Sequence, residues 1–225
     1  MRESIWKIVG FLPYVVVVFL NAFTDLGHKI IIQNTVFKIY DGETQIILTA
    51  VVNALILLPF IMLFSPSGFI ADRFSKSRVM RLSAGLAIVI TLLITLSYYL
   101  GAFELAFAMT LLLAVQSAIY SPAKYGYIKE LVGNNYITMG NGIVQAVTTV
   151  AILSGIFVYS IFFEHYLEGV GYQNSAEILQ HIAPIGWMLV LGSVIEFVLA
   201  YRLPDTHTES DKHFSFPRYI NLTRL

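Results

Sequence analysis

Six mostly apolar runs, near residues 8–36, 44–70, 79–100, 103–123, 139–163 and 183–202, are separated by short polar stretches. A helix rises about 1.5 Å per residue, so about 20 residues cross a hydrocarbon layer of about 30 Å. Each run therefore predicts a membrane-spanning helix. Residues 1–203 are expected to form a six-helix transmembrane bundle, and 204–225 a linker, the chain turning polar at Leu203-Pro204-Asp205 and showing no seventh run. Pro59, Pro66 and Pro122 lie within or beside these runs. A proline lacks the backbone donor and crowds the preceding turn, so local kinks are expected there.

The polar positions inside the runs are not scattered. In the first run Asn21, Asp25, Lys29 and Gln33 recur every four residues, with Thr24 and His28 beside them, and that spacing places them on one broad helix face. An ionised side chain near the bilayer midplane costs about 2.5 to 3.5 kcal/mol on insertion scales, so this face should look onto protein or a water-filled cavity. Asp25 and Lys29 can pair along the helix; a buried structural ion pair is the bland alternative to a binding site. His28 alone reads as a packed core histidine. The second run carries Thr49 and Asn53, the fourth Gln116, Ser117, Tyr120 and Lys124, and the fifth Asn141, Gln145, Thr148 and Thr149. The third offers only scattered hydroxyls, which bond their own helix cheaply, and the sixth is apolar until Glu196 near its end. Helices one, two, four and five are thus expected to face a cavity, and three and six to face lipid.

Composition agrees with the runs. With 57% hydrophobic and 12% charged residues, a water-soluble domain would be left covered in apolar surface, so the solvent is lipid. Zero net charge hides a strong partition. With the N-terminus inside, Arg2, Lys7, Arg73, Lys76, Arg78, Arg81, Lys124, Lys129, Arg202, Lys212, Arg218 and Arg224 lie on the cytoplasmic side and only Lys38 outside, twelve against one. Basic residues favour that side, so both the N-terminus and the C-terminal tail are expected in the cytoplasm. Asp41, Glu43, Glu104, Glu164, Glu168 and Glu177 fall outside, the last three in a segment of about 164–182 that reads as a loop. The chain has no cysteine, hence no disulfide and no thiolate metal site.

Two motifs narrow the class. Between the second and third runs stands Gly68-x-x-x-Asp72-Arg73-x-x-Lys76-x-Arg78. It resembles the cytoplasmic loop between helices two and three of major facilitator superfamily transporters. In that loop Gly68 would let helices approach, Asp72 would cap a neighbouring helix N-terminus, and Arg73, Lys76 and Arg78 would hold the cytoplasmic face. The division of cavity and lipid faces matches the N-terminal six-helix bundle of that fold, an all-α membrane protein with a nested 3+3 inverted repeat. A second six-helix half is then expected to complete the transporter.

The second motif is Tyr120-Ser121-Pro122-Ala123-Lys124-Tyr125-Gly126, followed by Glu130-Leu131 and Asn141-Gly142. With Phe19-Leu20-Asn21-Ala22-Phe23-Thr24-Asp25 and Tyr219-Ile220-Asn221-Leu222-Thr223-Arg224, it resembles the bacterial lysophospholipid transporter (LplT) family and the related membrane domain fused to 2-acylglycerophosphoethanolamine acyltransferase and acyl-carrier-protein synthetase modules. The resemblance implies a multi-pass protein of the bacterial inner membrane. It would flip lysophospholipids, chiefly lysophosphatidylethanolamine, so that a fused or associated acyltransferase can restore the second acyl chain. Substrate-binding candidates are then Asn21, Asp25, Lys29, Asn53, Tyr120, Lys124, Asn141 and Gln145. Lys124 suits the phosphate, Asp25 the ethanolamine ammonium, and Asn141 and Gln145 the glycerol hydroxyl. This chain has Leu26 where the family commonly has Asn after the helix-one acid, and Gln145 where it commonly has Glu.

Enzymatic and nucleotide motifs are missing from the sequence. No histidine is followed five positions later by aspartate, as a glycerolipid acyltransferase requires, and no Gly-x-x-x-x-Gly-Lys-Ser/Thr loop is present. No metal-ligand cluster stands out. No cofactor, catalytic residue, metal or nucleic-acid partner is expected; the partners are the lysophospholipid and membrane lipids. Two other functions fit the runs: a membrane tether that presents lipid to an acyltransferase, and a cation-coupled efflux carrier of amphipathic compounds. The second leaves the Ser121-to-Gly126 motif unexplained.

Overall fold

The computed structural model describes residues 4–205. Among these, the regular elements are helices: Phe11–Ile39 (α1), Gly42–Met62 (α2), Phe64–Arg73 (α3), Lys76–Tyr99 (α4), Phe103–Leu167 (α5), Ser175–Ile182 (α6) and Gly186–Ala200 (α7), with short 3-10 turns at Ile5–Lys7 and Ala183–Ile185. Five segments are long and apolar enough to cross a membrane: Phe11–Ile39, Gly42–Met62, Lys76–Tyr99, Phe103–Leu167 and Ser175–Ala200. Arg2, Lys212, Arg218, the Tyr219-to-Arg224 motif and the linker beyond 205 lie outside the described residues.

At 65 residues, α5 would be about 98 Å long if straight, about three times the thickness of a bilayer core. It folds back at Gly133, where φ is 67° and ψ −179°, a conformation open essentially only to glycine. The pairs it makes with α1 show the reversal. Tyr14 meets Lys124, Asp25 meets Ser117 and His28 meets Thr110, so the outgoing pass (103–132) runs antiparallel to α1. Phe23 meets Tyr159, Asn34 meets Ser160 and Lys38 meets Glu164, so the returning pass (134–167) runs parallel to it. The stretch 124–138, expected as a loop, is therefore helical on both sides of one glycine.

Two further boundaries differ from the pattern of apolar runs. The second run breaks at Leu63, with φ −94° and ψ 4°, between Pro59 inside α2 and Pro66 in the first turn of α3. The charged motif begins within α3, which holds Gly68, Asp72 and Arg73, and only Phe74 and Ser75 separate it from α4. The segment 164–182 contains the end of α5 and all of α6. Asn174 caps α6, accepting from the Glu177 N–H at 3.0 Å, while the Glu177 carboxylate accepts from the Gln173 N–H at 2.7 Å. This is a reciprocal cap of the kind that starts a helix without a hydrophobic signal. By contrast, α5 runs through Pro122 without a non-helical torsion there.

In lipid there is little hydrophobic drive between helices, so close packing and small residues hold them together. A Cβ at Gly27 would strike the Tyr159 ring, and one at Gly155 would lie 3.2 Å from the Phe23 carbonyl. One at Gly186 would lie 2.7 Å from Thr95 Oγ1. Two aromatic-rich cores result, one around Phe11, Tyr14, Met80, Tyr120 and Tyr127, the other around Val36, Tyr98, Tyr159, Phe163 and Ile178. The outward faces of α4 (Leu82, Leu86, Val89, Leu93) and α7 (Trp187, Leu191, Ile195, Val198) are exposed and apolar. Only those faces suit lipid, because the inner faces of the same two helices are buried and carry Ser83, Thr91, Ser193 and Glu196.

Candidate functional site

Asp25 is the fifteenth of the 29 residues of α1, hence at the middle of that helix. The antiparallel outgoing pass of α5 brings Ser117 opposite it, and the Ser117 hydroxyl donates to Asp25 Oδ2. One and two turns further along the same pass stand Tyr120 and Lys124, both buried. The Lys124 ammonium lies 4.6 Å from the centre of the Tyr125 ring and 6.0 Å from that of Tyr120, a cation over two aromatic faces. Its carbonyl accepts the Tyr14 hydroxyl at 2.7 Å, which ties this turn of α5 to α1. Asn21, one turn before Asp25, is buried and faces Glu196 of α7. Lys124 lies within electrostatic reach of both Asp25 and Glu196.

The structure therefore brings Asn21, Tyr120 and Lys124, all buried, and the half-buried Asp25 into one polar group. It leaves the remaining substrate-binding candidates outside that group. Asn53 is exposed on α2 and donates to the Thr49 carbonyl of its own helix at 2.9 Å. Asn141 and Gln145 are exposed on the returning pass of α5, and Lys29 is half-buried on α1. Among the described residues, no ion pair joins Asp25 to Lys29, because the Asp25 carboxylate is turned to Ser117 on the neighbouring helix.

Glu196 is the residue that sequence reasoning left out of the candidate site. It does lie near the end of its run, but it is 1% exposed, and its Oε1 has no hydrogen-bond partner among the described residues. Any ionisable residue inside an apolar run is a functional candidate by default, and that signal was present. Nearby, His28 is fully buried with both ring nitrogens engaged, by the Tyr98 hydroxyl at 2.7 Å and Thr110 Oγ1 at 3.2 Å. It is a structural histidine. Among the described residues, no group of three or more potential ligands is placed to hold a metal ion.

The charged motif also resolves differently from its sequence reading. A Cβ at Gly68 would meet nothing within 4 Å, so no helix approach within the described residues requires that glycine. Asp72 is exposed and, among the described residues, caps no helix. The acid at the N-terminus of α4 is instead Asp205, which accepts from Ser77 Oγ at 2.8 Å. That bond and the adjacent Ser75 hold its carboxyl below the usual range. Lys76 pairs with Glu130 of α5, and the Arg73 guanidinium lies 5.8 Å from the Phe69 ring centre. Arg78 is exposed. Arg81 donates to the carbonyls of Ala200 at 3.1 Å and Leu203 at 2.5 Å, closing the C-terminus of α7 where a cation is favoured.

These features define a multi-pass, all-helical membrane protein whose buried polar groups converge at its centre. The chain is similar to "Lysophospholipid transporter LplT" of Escherichia coli (strain SE11), 35% identical over 164 residues that cover 68% of this chain and 36% of that protein. The same-named protein of Salmonella heidelberg (strain SL476) is 36% identical over 159 residues, with 68% of this chain and 36% of that protein covered. That of Photorhabdus laumondii subsp. laumondii is 34% identical over 143 residues, 62% of this chain and 33% of that protein. The chain belongs to this family of lysophospholipid transporters, and it spans about a third of the length of the curated relatives it matches. No family model and no solved structure matches it.

Proposed function

We propose that the chain is the N-terminal six-helix half of a major facilitator superfamily transporter, and that it carries the headgroup site of a lysophospholipid flippase working by alternating access. The observation that carries this reading is that Asp25, half-buried, and Lys124, buried, lie within electrostatic reach of each other in one polar group. A zwitterionic headgroup needs an acid for its ammonium and a cation for its phosphate. Lys124 supplies a flexible point charge, and Asn21 and Tyr120 add donors and acceptors. Lys29, Asn53, Asn141 and Gln145 would meet the rest of the lipid from the half-buried and exposed faces of α1, α2 and the returning pass of α5. The remaining length of the relatives would supply the second half, which would cover these faces. Lys7, Arg73, Lys76, Arg78, Arg81, Lys129 and Arg202 gather at the Gly10 end of the described helices, which supports that end as cytoplasmic in a bacterial inner membrane. Gly68, Asp72 and Arg73 would tune the conformational equilibrium from that boundary. The chain itself would be non-enzymatic, with reacylation left to a fused or separate acyltransferase.

The test is uptake of labelled lysolipid into spheroplasts lacking the endogenous transporter, using the full-length protein and verifying membrane levels of each variant. A charge-assisted hydrogen bond is worth about 1.5 to 3 kcal/mol, so losing one should weaken lysolipid handling about tenfold or more. Lys124→Ala should depress uptake of both lysophosphatidylethanolamine and lysophosphatidylglycerol. Asp25→Asn should depress the ethanolamine lipid more, since only that headgroup carries an ammonium. Unchanged uptake in both well-expressed variants would overturn the proposal in favour of a tether.

A further inference from the structure

Of the Lys, Arg, Asp and Glu side chains among the described residues, two are buried, and they carry opposite charge: Lys124 of α5, 8% exposed, and Glu196 of α7, 1% exposed. They lie within electrostatic reach of each other. Neither is fully satisfied by its neighbours. Glu196 Oε1 has no hydrogen-bond partner among the described residues, and the Tyr120 hydroxyl within its electrostatic reach is buried and unpartnered as well. The Lys124 ammonium has three N–H donors. It stands 6.0 Å from the Tyr120 ring centre and 4.6 Å from that of Tyr125, and these rings attract its charge without supplying a full set of acceptors.

Asp25 also attracts Lys124, and it does so more strongly than Glu196. The two acids are placed differently. Asp25 is half-buried and accepts the Ser117 hydroxyl, so it is the acid that an entering ammonium can reach, whereas Glu196 is sealed between α1, α5 and α7. Once Asp25 is engaged by a headgroup ammonium, Lys124 depends on another counter-charge, because a buried charge without one is strongly disfavoured. Only Glu196 is within the helices to provide it.

We infer that Glu196 is the counter-ion and positioning residue of Lys124: it balances the buried ammonium from α7 and so leaves Asp25 to the headgroup. No ion pair joins Lys124 to Glu196 in this conformation, where the ammonium stands over the tyrosine rings. The flexible lysine stem can turn to Glu196 when no phosphate is present and to the phosphate when one is. Glu196 itself touches no lipid and acts through Lys124. The positioning role rests on the headgroup site proposed above; the pairing of the two buried charges does not.

The experiment uses the full-length protein and has two arms. In the first, thermal unfolding in detergent without lysolipid compares the native protein with Glu196→Gln, Lys124→Met and the double variant. Each single change leaves one buried charge unbalanced and should lower the unfolding temperature, whereas the double change leaves neither and should lose clearly less than the sum of the two. Strict additivity overturns the pairing. Should a single variant fail to fold, a double variant that folds supports the pair, and one that also fails overturns it.

The second arm follows uptake of labelled lysophosphatidylethanolamine and lysophosphatidylglycerol into proteoliposomes. Glu196→Gln should raise the concentration for half-maximal uptake of both lipids by the same factor, about threefold or more, with the maximal rate less affected. Both lipids carry the phosphate that Lys124 meets. Glu196→Asp should restore part of the loss, and in a Lys124→Met protein Glu196→Gln should change that concentration no further. An unchanged concentration in Glu196→Gln, a loss confined to the maximal rate, or an undiminished effect in the Lys124→Met background overturns the positioning role. Absence of uptake by the native protein, with the unfolding still non-additive, counts against the transport function alone.

Discussion

Gly192 of α7 lies against Thr24 of α1 so closely that a Cβ at Gly192 would sit 2.6 Å from Thr24 Oγ1. The contact is one helical turn from Glu196 and nearly one from Asn21, so it sets the distance at which these two side chains meet. Inserting a methyl group at such a contact costs about 1 to 3 kcal/mol by overpacking. Gly192→Ala is expected to lower the thermal unfolding temperature in detergent, and Gly27→Ala to do the same against the Tyr159 ring. Gly68→Ala, which meets open space, should leave it unchanged. Equal losses in all three would show that Gly68 is packed after all.

Gly133 permits the reversal of α5. A residue other than glycine forced into its torsions is strained by about 1 to 3 kcal/mol, whereas glycine within a helix is less favourable than alanine by up to about 1 kcal/mol. Gly133→Ala should therefore reduce folded yield and stability. Gly142→Ala, in the helical returning pass with nothing within 4 Å of an added Cβ, should be neutral or slightly stabilising. Size-exclusion profiles of the two variants after heating provide the comparison.

Much of this arrangement was legible in the chain. The apolar runs located the helices because bilayer thickness fixes their length, and ionisable residues such as Asp25 and Lys124 announced a buried polar group because lipid penalises them. The hairpin at Gly133 was hidden, since polar residues 124–138 read as loop while their backbone is satisfied as helix. The burial of Glu196 depends on Gly192 admitting Thr24, a tertiary contact that no periodicity encodes. The same holds for the cap of α4. Asp72 is close in sequence but points away, and Asp205 arrives from the far end of the described chain.

The bond between Ser117 and Asp25 joins α1 to the outgoing pass of α5. Ser117→Ala leaves a half-buried carboxylate without that donor, at a cost toward the lower end of about 1 to 3 kcal/mol. A double-mutant cycle with Asp25→Asn, read by chemical unfolding in detergent, should give a coupling energy of about 0.5 to 3 kcal/mol. Strict additivity would mean that the two side chains do not interact.

Asp205 ties the end of α7 to the start of α4, and it provides a pH test outside the membrane-spanning segments. Its carboxyl is held below the usual range, chiefly by the Ser77 hydroxyl and secondarily by Ser75, with Arg81 and Arg78 adding attraction. A group whose folded value is depressed stabilises the native state above its unfolded value, and the contribution is lost as pH falls through the folded value. At neutral pH the native protein should therefore be more stable than Asp205→Asn, and Ser77→Ala should lose part of the same margin. Both differences should shrink as pH falls through and below the ordinary carboxylate range, where native Asp205 is itself protonated. Because Asp205 is largely exposed, added salt should also narrow the margin by screening Arg78 and Arg81. Thermal unfolding in detergent at a series of pH values measures this directly. A margin that persists unchanged in acid would mean that Asp205 contributes by packing and not by its charge.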